Sequence, residues 1–341
     1  MRAILYTGNR AFRVEERPQL DPGPADVRLE VAYVGICGTD LHIKHGEMDS
    51  RVKVPAVIGH EMSGTVVATG RDVLHAAAGD RVTVMPLLWC DRCPACLAGN
   101  RHICQNLVFV GIDSPGALQQ SWTVPERLLV KLPDGVDLRT GALAEPLSVA
   151  VHDVRRGAVG PGDRVLVVGA GPIGILIACV ARAERAEVLL SEPNAFRRSV
   201  AAGLGLQVVD PSADDVVEAV EAWTHGAGAD VAFEVSASPA GLACATRSLR
   251  VRGRLVCVGI HGQPVPVDLF RVFWRELEIF GARVYERRDF ERAVEMLASG
   301  EIPADRLISS VVPLERTPEA FEALENNPSV VKLLIDCQGA A

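Results

Sequence analysis

Residues 162–183 read GDRVLVVGAGPIGILIACVARA. Val165 to Val168 form an apolar run, glycines follow at 169, 171 and 174, and apolar residues then resume for the length of a helix. A buried strand, a tight turn and a buried helix account for that pattern. The glycines fall as G-x-G-x-x-G between strand and helix, the setting that a dinucleotide-binding turn requires. Gly169 permits the turn, Gly171 lets backbone approach a pyrophosphate, and Gly174 allows helix and strand to pack closely. Pro172 and Ile173 open the helix, whose N-terminus offers free N–H groups and a positive dipole end to phosphates. Glu192 closes the next apolar run, EVLLSEP, where a carboxylate accepts hydrogen bonds from a ribose diol. It would repel a 2'-phosphate, so the expected cofactor is NAD, with NADP the weaker expectation. Arg197 is the neighbouring side chain expected at the cofactor, and Arg197 with Arg198 can reach a 2'-phosphate if their loop folds inward. Val258, ending GRLVCVGI, completes the expected cofactor set.

The alternation continues outward from this unit. NAFRRSVAAGLG, QVVDP, DVVEAVEAWTHG, ADVAFEVSA, GRLVCVGI and LEIFGARV supply further helices and strands in turn. Strands alternating with helices predict an α/β fold with a doubly wound parallel sheet. The first 150 residues read differently, as short β-branched runs such as VRLEVAYVGI and SGTVVAT between Gly and Pro clusters. After about residue 288 come a helix (FERAVEMLASG), a strand-like LISSVVPL and a second helix near TPEAFEALE, a tail expected to return to the first domain. The expected division is therefore 1–150 with 289–341, and 151–288.

Composition narrows the function. The 341 residues carry a formal net charge of -8, which argues against nucleic acid or an anionic membrane as partner. The longest uncharged run, Val165 to Ala181, is broken by GAGPIG and slightly short for a membrane span. The start carries only a four-residue apolar run, Ala3 to Tyr6, so no signal peptide is expected. A cytoplasmic chain follows, with reduced cysteines.

Four of the nine cysteines fall in WCDRCPACLAGNRHIC, at 90, 93, 96 and 104. Four thiolates on one short loop suit a closed tetrahedral zinc site. An iron–sulfur cluster shares the opening C-x2-C-x2-C but continues C-x3-C-P, whereas the last gap here is seven residues. Cys179, Cys244, Cys257 and Cys337 lie in apolar contexts and read as small buried side chains. Elsewhere, GICGTDLH (35–42) and GHEMSG (59–64) offer Cys37 and His60 as thiolate and imidazole ligands. A catalytic zinc needs about three protein ligands and an open position; Glu61 and Glu145, the latter in LAEPLSVAVH, are the candidates for the third.

C-G-T-D-x-H, G-H-E-x-x-G, the four-cysteine loop, A-E-P and G-x-G-x-x-G follow one another here in the order of the zinc-containing medium-chain alcohol dehydrogenases. The chain resembles that family over essentially its whole length. Glu145 stands where the ordinary alcohol enzymes place a second cysteine, a variant similar to the polyol, butanediol and threonine dehydrogenase branch, which SEPNAFRR and FEVSASPAG also resemble. GALQQS (116–121) departs from the G-G-F-A-E-Y of related enzymes, which leaves the pocket chemistry open.

The resemblance implies a Rossmann domain and a mainly β, GroES-like catalytic domain. It implies two zinc ions per chain: a catalytic one at Cys37, His60 and Glu61 or Glu145, and a structural one at Cys90, Cys93, Cys96 and Cys104. A secondary alcohol (polyol, diol, sugar derivative or hydroxy amino acid) would lose hydride to NAD. Thr39 would accept the alcohol proton and His42 would pass it to solvent. Glu61 would act in catalysis as well as at the metal, and Asp40 would hydrogen-bond a ligand. A homotetramer or homodimer is implied. Trp89, Leu118 and Trp122 are candidates for the substrate pocket, His45 for its mouth and His152 for the cofactor side. His75, His102, His225 and His261 are expected at the surface or in loops. The competing reading is a protein that binds NAD as a redox sensor or structural component without turnover.

Overall fold

In the computed structural model, which describes residues 1–339, the chain divides into two units. One comprises Met1–Glu145, Glu286–Gly300 and the residues from Ala304 on; the other comprises Pro146–Tyr285 with Glu301–Pro303.

The second unit is built on six parallel strands. In spatial order they are Gln207–Val209, Glu187–Ser191, Arg164–Val168, Ala229–Glu234, Leu249–Cys257 and Glu278–Gly281. Numbered along the unit this is 3-2-1-4-5-6, the doubly wound dinucleotide-binding order. The strand quoted first is the centre: Val165 pairs with Val188 on one side and Val231 on the other. Being covered on both faces, it is apolar throughout rather than alternating. Helices Pro172–Ala183, Ala195–Gly203, Val216–Trp223, Pro239–Ser248 and Leu269–Arg275 connect the strands. Their starts carry caps: Asn194, Asp215, Ser238 and Asp268 each accept a hydrogen bond from a backbone N–H of the first turn.

The first unit is a mainly antiparallel seven-stranded sheet. Strand Asp26–Gly35 lies between Lys332–Asp336 and Glu61–Thr69, and Arg81–Val84 and Leu129–Lys131 continue beyond the latter. Two register pairs matter for function: Gly35 opposes Glu61 on one side and Leu334 on the other. The strand Lys332–Asp336 is thus laid beside the strand that leads into Cys37, with the Glu61 strand on that strand's other side, although it lies some three hundred residues away in sequence.

Several readings need correction. Cys244 and Cys257 are half-buried, because the former lies on a helix and the latter at a strand end; Cys179 and Cys337 are buried as expected. Burial pushes the Cys179 thiol up to about 11 and marks it as inert. His102 is buried, within the short helical turn Arg101–Ile103 of the cysteine loop. His261 is half-buried, with Nε2 3.0 Å from a Glu234 carboxylate oxygen. His75 and His225 are exposed. Leu118 and Trp122 are core residues, and the Trp122 indole donates to the Pro115 carbonyl. Trp89 packs on the cysteine cluster. Among the described residues no helix is long and apolar enough to cross a membrane.

Candidate metal centre and cofactor turn

Cys37 ends the strand-loop segment that precedes helix Gly38–Lys44, and its N–H donates to Asp40 Oδ2 at 2.9 Å. His60 and Glu61 sit at the start of strand Glu61–Thr69. Gly59 turns the chain into them with φ +97°, and a side chain there would press on Leu118 and Val34. One donor atom from each of Cys37, His60 and Glu61 lies within 4.8 Å of the other two. Thiolate, imidazole and carboxylate at that separation can share one ion with bonds of roughly 2.0 to 2.3 Å.

The polar atoms around this group bear out the fit. His60 is 2% exposed and Glu61 1%; His60 Nδ1 and Asp40 Oδ1 are buried without a hydrogen bond, while Glu61 Oε2 is ion-paired with Lys332. Asp40 Oδ1 stands 3.6 Å from His60 Nδ1. A carboxylate behind the imidazole fixes which ring nitrogen faces an ion. Burial works against charge on His60, but Asp40, Cys37 and Glu145 outweigh it and raise its pKa well above the usual range. Desolvation raises Asp40, against the pull of His60. Phe109 meets the His60 ring edge-on at 5.1 Å and shields it. Glu145, buried in the first turn of helix Ala144–Arg156, acts electrostatically on His60 and on Lys332 but lies outside the 4.8 Å trio.

Thr39 and His42 lie three residues apart on helix Gly38–Lys44, hence on neighbouring positions of one face. Both are half-buried, and His42 Nδ1 is 2.6 Å from Glu47. His45 is bound to Glu325.

The cysteine loop folds into a second cluster. All four sulfurs lie within 4.8 Å of one another, with 3.5 Å between Cys104 and Cys90 and 3.7 Å between Cys93 and Cys104. A tetrahedron of 2.3 Å zinc–sulfur bonds has edges of roughly 3.8 Å. Backbone N–H groups of Cys96 and Gln105 point at the Cys93 sulfur, and that of Asn106 at Cys104. Hydrogen bonds from the Arg92 backbone and the Asn106 side chain bring the Cys90 thiol down to about 6. Burial and its sulfur neighbours push the Cys96 thiol up to about 12, and a cation held by the four sulfurs would favour its thiolate.

In the other unit, Gly169 has φ +107°, and a Cβ at Gly174 would lie 1.9 Å from the Gly169 carbonyl oxygen. Nothing lies within 4 Å of a Cβ at Gly171, so that position stays open. Pro172 and Ile173 are half-buried at the helix start, and Val258 is anchored through its N–H to the Glu234 carbonyl. Glu192 is buried and accepts from the Ala170 N–H at 2.7 Å and the Asn194 N–H at 2.8 Å. Arg198 is tied to Asp210 and to the carbonyls of Glu192 and Pro193, whereas the Arg197 Nε has no hydrogen-bond partner.

Comparison with known proteins agrees with this geometry. A model of the alcohol dehydrogenase GroES-like domain matches residues 23–134, and one of the zinc-binding dehydrogenases matches 172–299. A 2-dehydro-3-deoxy-L-galactonate 5-dehydrogenase from Pseudoalteromonas atlantica is 51% identical, covering 99% of each chain. The chain belongs to the zinc-binding alcohol dehydrogenase family. An L-galactonate-5-dehydrogenase of Escherichia coli is 31% identical over 92% of each chain. A Sinorhizobium meliloti structure, described as a zinc-binding dehydrogenase bound to NADP, superposes with a TM-score of 0.92 at 33% identity, covering 98% of each chain.

As a zinc-binding dehydrogenase, the chain is an oxidoreductase of secondary alcohols. Two contributors to the candidate metal centre have no motif. Lys332 forms a buried ion pair with Glu61. Gly35 leaves room for that pair, since a Cβ there would overlap Glu61 Oε2. The signal available was weak: a lysine beginning the apolar run KLLID, where one face of the strand is buried.

Proposed function

We propose that this protein oxidises a secondary hydroxyl of a sugar acid, using NAD as hydride acceptor. The observation that carries the substrate class is the 51% identity, over 99% of each chain, with a relative that acts on a 2-dehydro-3-deoxy aldonate. The E. coli relative, also named for a galactonate, supports the same class. The unit of Met1–Glu145, Glu286–Gly300 and the residues from Ala304 on would bind substrate; Pro146–Tyr285 would bind the cofactor.

In this reading Cys37, His60 and Glu61 or Glu145 hold a catalytic zinc, and Cys90, Cys93, Cys96 and Cys104 a structural one. A zinc ion lends Lewis acidity to a hydroxyl oxygen, and a nicotinamide supplies the hydride acceptor. Thr39 takes the hydroxyl proton, and His42, with a side chain 41% exposed, delivers it to water. Asp40 keeps the His60 ring oriented. Gly169, Gly171, Pro172, Ile173 and Gly174 receive the pyrophosphate, with Val258 and Arg197 beside the cofactor. Glu192 favours NAD by offering negative charge where NADP carries a phosphate; the NADP in the S. meliloti neighbour makes the second cofactor the necessary control. Nine unpaired cysteines suit a cytoplasmic protein, and a homodimer or homotetramer is proposed.

The test is a panel of 2-dehydro-3-deoxy-L-galactonate, L-galactonate, butanediol, xylitol and threonine, read by nicotinamide absorbance with NAD and NADP in parallel. The expected result is the highest kcat/KM with a sugar acid and NAD. A diol as best substrate would reject the sugar-acid assignment. No turnover on any alcohol, with NAD still raising the Tm, would favour a sensor.

A further inference from the structure

A buried lysine lines the Cys37, His60 and Glu61 group. The Lys332 side chain is 3% exposed and Glu61 1%. The ammonium donates to the Ile36 carbonyl at 2.9 Å and pairs with Glu61 Oε2. Strand Lys332–Asp336 holds it there through pairing with Asp26–Gly35, and Gly35 leaves the space that the pair occupies.

A fixed cation beside a cation site weakens metal binding unless it offsets something else. A thiolate and one carboxylate already neutralise a dication, and a second carboxylate would make the centre anionic. Such a centre fills its open position from within the protein and acidifies a bound hydroxyl less. We infer that Lys332 is a positioning residue for the metal centre: it holds the Glu61 carboxylate and offsets its charge, so that a coordination position remains for substrate oxygen. The inference rests on the zinc reading proposed above.

The experiment follows zinc transfer from the loaded full chain to an excess of a chromophoric chelator. A Cys37→Ser protein reports the cysteine-loop ion alone and identifies the other phase. Lys332→Met is expected to release the catalytic ion about tenfold more slowly, because a like charge beside the ion is removed, and Lys332→Arg to release it as the wild type does. A purely structural lysine predicts the reverse, because losing the Ile36 anchor would loosen the ligands. Unchanged or faster release from Lys332→Met would therefore overturn the inference. If that variant does not fold, Lys332→Gln, which keeps a hydrogen-bond donor without the charge, is used in its place: slower release than wild type supports the role, and equal or faster release rejects it. A wild-type chain that carries zinc only on the cysteine loop would remove the reading beneath the inference, and the inference with it.

Discussion

Glu192 does two things at once. Its oxygens accept backbone N–H groups from Ala170 and Asn194, tying the end of strand Glu187–Ser191 to the glycine turn. The same carboxylate stands where a ribose diol is expected. Glu192→Ser should therefore lower kcat/KM for NAD by about tenfold, the loss of one charge-assisted hydrogen bond. It should also improve NADP, for which Arg197 supplies a guanidinium. The ratio of the two specificity constants is the readout, and an unchanged ratio would exclude Glu192 from cofactor choice. Glu325 offers a pH test. Its carboxylate holds Lys44 and His45 on the helix that carries Thr39 and His42. Burial raises its pKa, but the hydrogen bonds from Lys44 and His45 outweigh that and leave it lowered. A lowered folded pKa means stability that is present above the unfolded value near 4.3 and is lost as pH falls through the folded value. Glu325→Gln should cost about 1 kcal/mol at pH 7, and the gap to wild type should close in acid denaturation below about pH 4. A gap that persists there would show that packing, not charge, holds the helix.

At the level of elements, the cysteine loop and the glycine turn were the legible parts. Both are local: ligand spacing and turn geometry depend on residues close in sequence, so the motif carries the constraint. The Gly174 to Gly169 approach of 1.9 Å for an added Cβ is what the third glycine of the motif anticipates. Helix Ala144–Arg156 was not legible, because its start, AEP, carries a motif rather than a helical period. The ion pair of Glu61 with Lys332 was invisible for a different reason, since only the pairing of distant strands brings it together. The loop makes its own prediction. Its buried residues are mainly the sulfurs themselves, so the proposed ion would supply the cohesion that a small core lacks. Cys96→Ser should lose about one zinc per chain by metal analysis and make residues 90–107 sensitive to protease, while zinc at Cys37 remains. Full metal content in that variant would contradict a four-sulfur site.

For the whole molecule, net charge and the absence of a long apolar span were read from composition, but the association surface was not, because no sequence period separates an interface from a core. Helix Leu269–Arg275, LFRVFWR, has no buried residue, although it is largely apolar. Phe270, Phe273 and Trp274 are 72%, 76% and 71% exposed, and the Phe270 and Trp274 rings stack on each other at 5.9 Å. Those three rings alone expose on the order of 400 Å², already the size of the largest patch on an ordinary monomer. Leu269, Val251 and Ile260 are exposed as well. Strand Glu278–Gly281 is the edge of its sheet and pairs on one side only. An apolar helix and an open strand edge within one unit are self-matching under a two-fold axis, which a second copy supplies and an unrelated partner does not. The proposed homo-oligomer should therefore associate through this face. Phe270→Glu/Trp274→Glu, which alters no residue assigned to metal or cofactor, should sediment as a smaller species than wild type at equal concentration with its zinc content intact. A wild-type chain that sediments as a monomer at micromolar concentration, or a double variant that keeps the wild-type mass, would rule this face out as the contact.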